Sequence, residues 1–145
     1  MNSQQQTQRM PNNYDKILTV NCNTVGDFFT VWLKLIPMLK LNGRELMVAS
    51  KMLEHWYRLS KKYKDINDVI IMFNSQQERQ LIAEECDINV NNFNVNLTSL
   101  KKLGFCYNYN DKDRSIAINK RYIPDISDED KSFCFILNFK INESV

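Results

Sequence analysis

Apolar residues recur along most of this chain at the three- and four-residue spacing of an amphipathic helix, then switch to alternation near its end. Phe28, Val31, Trp32 and Leu35 share one face of a first predicted helix, about 24–38. It opens on a Thr24–Asp27 capping pair and ends or kinks at Pro37. The clearest helix is predicted at about 42–60, with Asn42 and Glu45 as a capping box and Leu46, Ala49, Leu53 and Trp56 at helical spacing. Lys61, Lys62 and Lys64 follow, with a charge suited to a helix C-terminus. The run "DINDVIIMF", 65–73, fits either a short helix or a strand. Ser75 and Glu78 cap a helix expected at about 75–86, and Asn89 caps another at about 90–103 whose core positions are Phe93, Leu97 and Leu100.

Gly104 stands where a left-handed helix end is wanted. Beyond it the period becomes two: "FCYNY" and "RSIAI", separated by the polar turn 110–113, predict a hairpin at about 105–118. After Pro124 and an acidic loop, "SFCFILNFKI" places Phe133, Phe135, Leu137, Phe139 and Ile141 on one face of an expected last strand, about 132–141. Residues 1–13 form a polar tail expected to be disordered on its own, and 14–145 reads as one domain.

This order, helix–helix–turn–helix–hairpin over 42–118, resembles the winged helix-turn-helix superfamily. The residues that carry the likeness are Ile82-Ala83, Ile88, Leu97, the run Leu100-Lys101-Lys102-Leu103-Gly104-Phe105, and the hairpin. Asp87 occupies the turn position usually held by glycine, and aspartate tolerates the left-handed region better than most residues. The resemblance implies an α+β fold: a winged-helix domain with an extra N-terminal helix and an added C-terminal β-strand. "LNGREL", "LKKLGF", "INKRYIP" and "FCFILNF" also look like small winged-helix-like proteins of large tailed bacteriophages, the crAss-like group among them. That likeness implies a role in the virion or its assembly.

Composition narrows the function classes. The chain has 145 residues, 43% hydrophobic and 25% charged, with a formal charge of +2, too slight an excess to argue for or against nucleic acid. Asparagine, lysine and isoleucine are frequent and glycine is scarce, as in proteins of AT-rich genomes. Cys22, Cys86, Cys106 and Cys134 have no metal-ligand spacing and, with a single histidine, read as buried free thiols in a reducing compartment. No apolar run approaches the roughly 18 residues of a membrane span, so no membrane partner is expected.

The candidate chemistry lies on the expected helix at 90–103 and the hairpin. Asn91, Asn92 and Asn94 are candidates for base edges, since asparagine pairs bidentately with adenine. Asn96, Thr98 and Ser99 accompany them, although an asparagine-rich solvated face accounts for the same residues. Lys101, Lys102, Lys112 and Arg114, with Lys120 and Arg121 beyond, are candidates for phosphates. Asp125, Asp128, Glu129 and Asp130 would repel phosphate within a Debye length, and they match no calcium loop. His55, beside Trp56, reads as a structural histidine. No phosphate-binding loop, dinucleotide fingerprint or zinc-protease motif occurs, so neither enzyme activity, nor cofactor, nor metal is expected. The broad apolar stripe of Phe28, Phe29, Trp32 and Leu33 offers Phe29 and Leu33 as partner contacts, and the last strand offers Phe133 and Phe135. The expected function is a non-enzymatic binding module, a neck or connector component of a tailed-phage particle. It would contact copies of itself and neighbouring virion proteins after assembly in the host cytoplasm. The alternative is a cytoplasmic winged-helix protein that binds double-stranded DNA as a regulator or replication factor.

Overall fold

The computed structural model describes residues 17–36 and 38–143; the polar tail 1–13 and Pro37 lie outside the described residues. The chain falls into two compact units, Asn21–Ile123 and a second made of the chain ends, 1–20 with 124–145. The first unit is therefore shorter than the expected span of 14–145. It contains five helices and a two-stranded antiparallel sheet, an α+β fold.

Local chemistry sets each helix start. α1 (Val25–Leu35) begins where Thr24 Oγ1 accepts from the Asp27 N–H at 3.0 Å. It ends at Ile36, which is extended, as the residue before a proline prefers. α2 (Gly43–Lys62) has both halves of its capping box, Asn42 Oδ1 accepting from Glu45 N–H and Glu45 Oε1 from Asn42 N–H. α3 (Ile66–Phe73) resolves the ambiguous run as a helix. Asp65 caps it, and Val69, Ile70 and Phe73 face inward at helical spacing while Ile66 and Ile71 stay exposed.

α2 is the centre of the unit and packs against α1, α3, α4 (Gln76–Glu85) and α5 (Val90–Lys102). Its Val48, Ala49, Met52, Leu53 and Trp56 are buried, and Trp56 meets Phe73 edge-on at 5.0 Å between ring centroids. α1 is tied down at both levels: Phe29 sits against Tyr57, and Trp32 Nε1 donates to the Tyr122 carbonyl at 2.8 Å. Tyr122 belongs to a short 3-10 turn, Lys120–Tyr122, and stacks on Phe105.

Three expectations need correction. Phe29 and Leu33, offered as partner contacts, are 1% and 2% exposed, so the broad stripe of α1 is spent on the core. The stretch 132–141 pairs with no strand among the described residues. Alternation sets the side chains of an extended segment and does not name a partner for its backbone. Of the cysteines, Cys86 and Cys106 are buried free thiols, whereas Cys22 is half-buried and Cys134 exposed. Burial pushes the Cys86 thiol up to about 11, a rise that Lys51 opposes, and pushes Cys106 up to about 12. No described helix is long and apolar enough to cross a membrane.

Candidate functional site

The candidate contact surface is built by α4, the turn after it, α5 and the hairpin. Ser75 starts α4 by accepting from the Glu78 N–H at 3.1 Å. At its end, Asp87 N–H donates to Glu84 O and Ile88 N–H to Ala83 O, both at 3.0 Å, with Asp87 left-handed at φ 56°. This is the Schellman pattern with aspartate where glycine is commoner. α5 then starts at Asn89, whose Oδ1 accepts from Asn92 N–H at 2.7 Å. It ends in a second Schellman turn, with Gly104 at φ 83° and Phe105 N–H on Leu100 O at 3.0 Å. Phe105 and Leu100 are both fully buried, so this turn is also a packing contact.

α5 buries Phe93, Asn96, Leu97 and Leu100 and turns Asn91, Asn92, Asn94, Val95, Thr98 and Lys102 outward. Asn91, Asn94, Val95, Thr98 and Lys102 follow the helical repeat and share one face. Asn96 departs from its neighbours: it is 7% exposed and donates to the Asn92 carbonyl at 2.9 Å, so it offers nothing to a ligand. Lys101 is half-buried.

The hairpin consists of β1 (Cys106–Asn110) and β2 (Ser115–Ile118). Pairing runs from Cys106–Ile118 to Asn110–Ser115, with an irregularity that leaves Tyr109 opposite no residue. The tip has no glycine; Arg114 takes the left-handed conformation at φ 59°. Asp113 braces it by accepting from Ser115, bonds that hold its carboxyl below the ordinary carboxylate range. Lys112 and Arg114 are both exposed at this tip. Tyr107 and Tyr109 are half-exposed, and the Tyr109 hydroxyl donates to Asn67 Oδ1.

Two residues that orient these elements had a different reading or none in the sequence. Asn74, just after α3, donates to Ile116 O and accepts from Ile116 N–H, each at 2.8 Å, so its amide acts as a short third strand on β2. Arg79 of α4 donates to the same Asn74 Oδ1 at 2.9 Å, which links α3, α4 and the hairpin through one amide. An asparagine before a helix-capping serine reads as turn chemistry, so only the tertiary arrangement reveals this clamp. His55 was expected to be structural and is: it is 3% exposed, with Nδ1 2.5 Å from Glu78 and Nε2 3.0 Å from Glu85. It bolts α4 to α2. Burial pushes the Glu85 carboxyl up, but its hydrogen bond with His55 and the charges of His55, Lys51 and Arg58 prevail, and its pKa is lowered.

Charge is unevenly distributed over the first unit. Between 21 and 88, nine basic and nine acidic side chains cancel. From 89 to 123 there are six basic residues, Lys101, Lys102, Lys112, Arg114, Lys120 and Arg121, against Asp111 and Asp113. α5 itself has no acidic residue.

The second unit holds the acidic stretch Asp125, Asp128, Glu129 and Asp130. Asp130 Oδ1 accepts from both the backbone and the hydroxyl of Ser132, and no group of side chains suited to a metal ion occurs among the described residues. Phe133 and Phe135, the remaining partner-contact candidates, stack on each other with centroids 5.6 Å apart. Comparison with protein-family models, with curated proteins and with solved structures returned no match.

Proposed function

We propose that this chain is a non-enzymatic binding module of winged-helix type that presents α5 and the β1–β2 hairpin to double-stranded DNA. The observation that carries this reading is the charge distribution: the net positive charge of the first unit falls entirely between 89 and 123. An acid-free helix with three outward asparagines there leads into a hairpin whose tip bears Lys112 and Arg114. Asn91 and Asn94 lie in the first turns of α5, where a helix seated in the major groove reaches base edges. Lys102, on that face, and Lys112 and Arg114, exposed at the hairpin tip, are the residues that would meet phosphates. The burial of Phe29 and Leu33 takes away two of the four residues offered as protein contacts, which weakens that reading relative to DNA.

Duplex binding measured by fluorescence anisotropy over a range of salt tests the reading. Three to four phosphate contacts give a slope of log affinity against log salt of about −3 to −4, and replacing Lys112 and Arg114 by glutamine lowers its magnitude by about 2. Absence of binding at low salt, or affinity indifferent to salt, overturns it.

The second reading is the structural or assembly protein of a tailed-phage particle, with α5 meeting another protein chain. The observation that favours it is Val95, 64% exposed in the middle of the α5 face, where a protein partner would bury it. Under this reading Val95→Lys abolishes co-assembly with particles and leaves DNA binding unchanged or tighter.

A further inference from the structure

Asparagine serves two purposes in this fold. Asn42, Asn74, Asn89, Asn96, Asn110 and Asn119 each spend the side-chain amide on a backbone group of the protein. Asn91 and Asn94 do not: their side chains are exposed and make no hydrogen bond among the described residues. They stand three residues apart at the start of α5, on the face that Val95, Thr98 and Lys102 continue. Val95 is 64% exposed in the middle of that face. The Thr98 hydroxyl donates to the Asn94 carbonyl at 3.2 Å, so the methyl is the part of that side chain left to offer a ligand. The face thus carries two free amides and two apolar groups ahead of its first exposed cation, Lys102.

What the face lacks is equally selective. From Asn89 to Leu100 there is no arginine, lysine, aspartate or glutamate. In the major groove guanine is read by arginine or lysine on its N7 and O6, and the cytosine amino group by a carboxylate. Adenine takes an asparagine amide on N6 and N7, and thymine presents a C5-methyl that packs against apolar groups. The chemistry of the face therefore matches one class of base pair and leaves the other without a partner. From Asn91 to Thr98 the helix rises about 10 Å, roughly three base-pair steps.

We propose that α5 selects A·T base pairs, with the Asn91 and Asn94 amides on adenine edges and Val95 and the Thr98 methyl against thymine methyls. The inference rests on the reading of α5 as a DNA-contacting helix and adds the sequence class that it takes. Lys102, Lys112 and Arg114 supply affinity for any duplex, and the 91–98 face supplies the choice between duplexes. Val95, exposed without an apolar neighbour on that face, gains in the thymine methyl a partner of its own kind.

Anisotropy titrations of the full chain with duplexes of equal length and charge test it. An A·T duplex is expected to bind about tenfold tighter than a G·C duplex, the discrimination of one bidentate pair. Uracil in place of thymine deletes only the methyl and is expected to weaken wild-type binding about fourfold, while Val95→Ala loses most of that sensitivity. Replacing adenine by 7-deazaadenine removes N7 and is expected to weaken wild type more than the double variant Asn91→Ala, Asn94→Ala. Inosine·cytosine pairs present an A·T-like minor groove and a G·C-like major groove, so they are expected to bind as weakly as G·C. Tight binding to inosine·cytosine would assign the preference to the minor groove and overturn the proposal. Equal affinity for A·T and G·C also overturns it and leaves the DNA reading standing, whereas no binding to any duplex at low salt ends both.

Discussion

Asn74 performs at one position what a strand would do along a whole edge. Its amide satisfies both backbone groups that Ile116 turns outward, and Arg79 fixes the amide by donating to the same oxygen. Ile116 is 2% exposed, so water does not readily replace those bonds. Asn74→Ala should therefore cost about 1–3 kcal/mol of unfolding free energy, the desolvation of a buried donor and acceptor left unmade. Chemical denaturation with an unchanged m-value is the check. A loss no larger than that of an ordinary surface substitution would mean that β2 does not depend on the clamp. The same residue marks a limit of sequence reading. Its partner on β2 lies 42 residues away along the chain, and no local pattern around "MFNSQQ" encodes it. His55 differs only in degree: its type and its place beside Trp56 indicated burial, but the two glutamates that hold it come from another helix.

At the scale of elements, what is local was legible. The capping pairs Thr24–Asp27, Asn42–Glu45 and Ser75–Glu78 act over three residues, and each makes the bond its spacing predicts. The helix ends at Asp87 and Gly104 are local in the same sense, and both are left-handed. The run 65–73 stayed ambiguous because nine residues of mostly apolar character satisfy either period; the Asp65 cap and burial against α2 decide it. The segment 132–141 is the opposite case, a clear period for which no pattern supplies a ladder partner. The two helix ends give a paired prediction. A Cβ at Gly104 would meet no atom within 4 Å, so Gly104→Ala carries only the cost of a left-handed backbone, about 1–2 kcal/mol. Asp87→Gly should run the other way, stabilising or neutral, since it relieves the same conformation. Thermal unfolding of the two variants side by side checks both signs. An unaffected Gly104→Ala would mean that the turn can rearrange away from positive φ.

Over the whole molecule, charge is ordered along the chain in three blocks: close to neutral, at +1, to residue 88, basic from 89 to 123, acidic from 124 onwards. The last block has five acidic residues against Lys131 and Lys140, and so offsets most of the excess of the basic block. A net charge near zero therefore conceals a basic surface, which is why composition alone was silent about nucleic acid. If the basic block is the DNA-contacting surface, the acidic block must weaken binding through its long-range field, whatever its position, as long as ionic screening is weak. The Debye length is about 30 Å at 0.01 M salt and about 3 Å at 1 M, so the effect has to fade across that range. Neutralising Asp125, Asp128, Glu129 and Asp130 together as asparagine or glutamine should tighten duplex binding several-fold in dilute buffer and leave it unchanged in concentrated salt. Anisotropy titrations of the variant and the wild type at both extremes measure the difference. An equal gain at both salt concentrations would point to a direct local contact instead of a field. Weaker binding by the variant would mean that the acidic block supports the DNA-bound form, contrary to the electrostatic account.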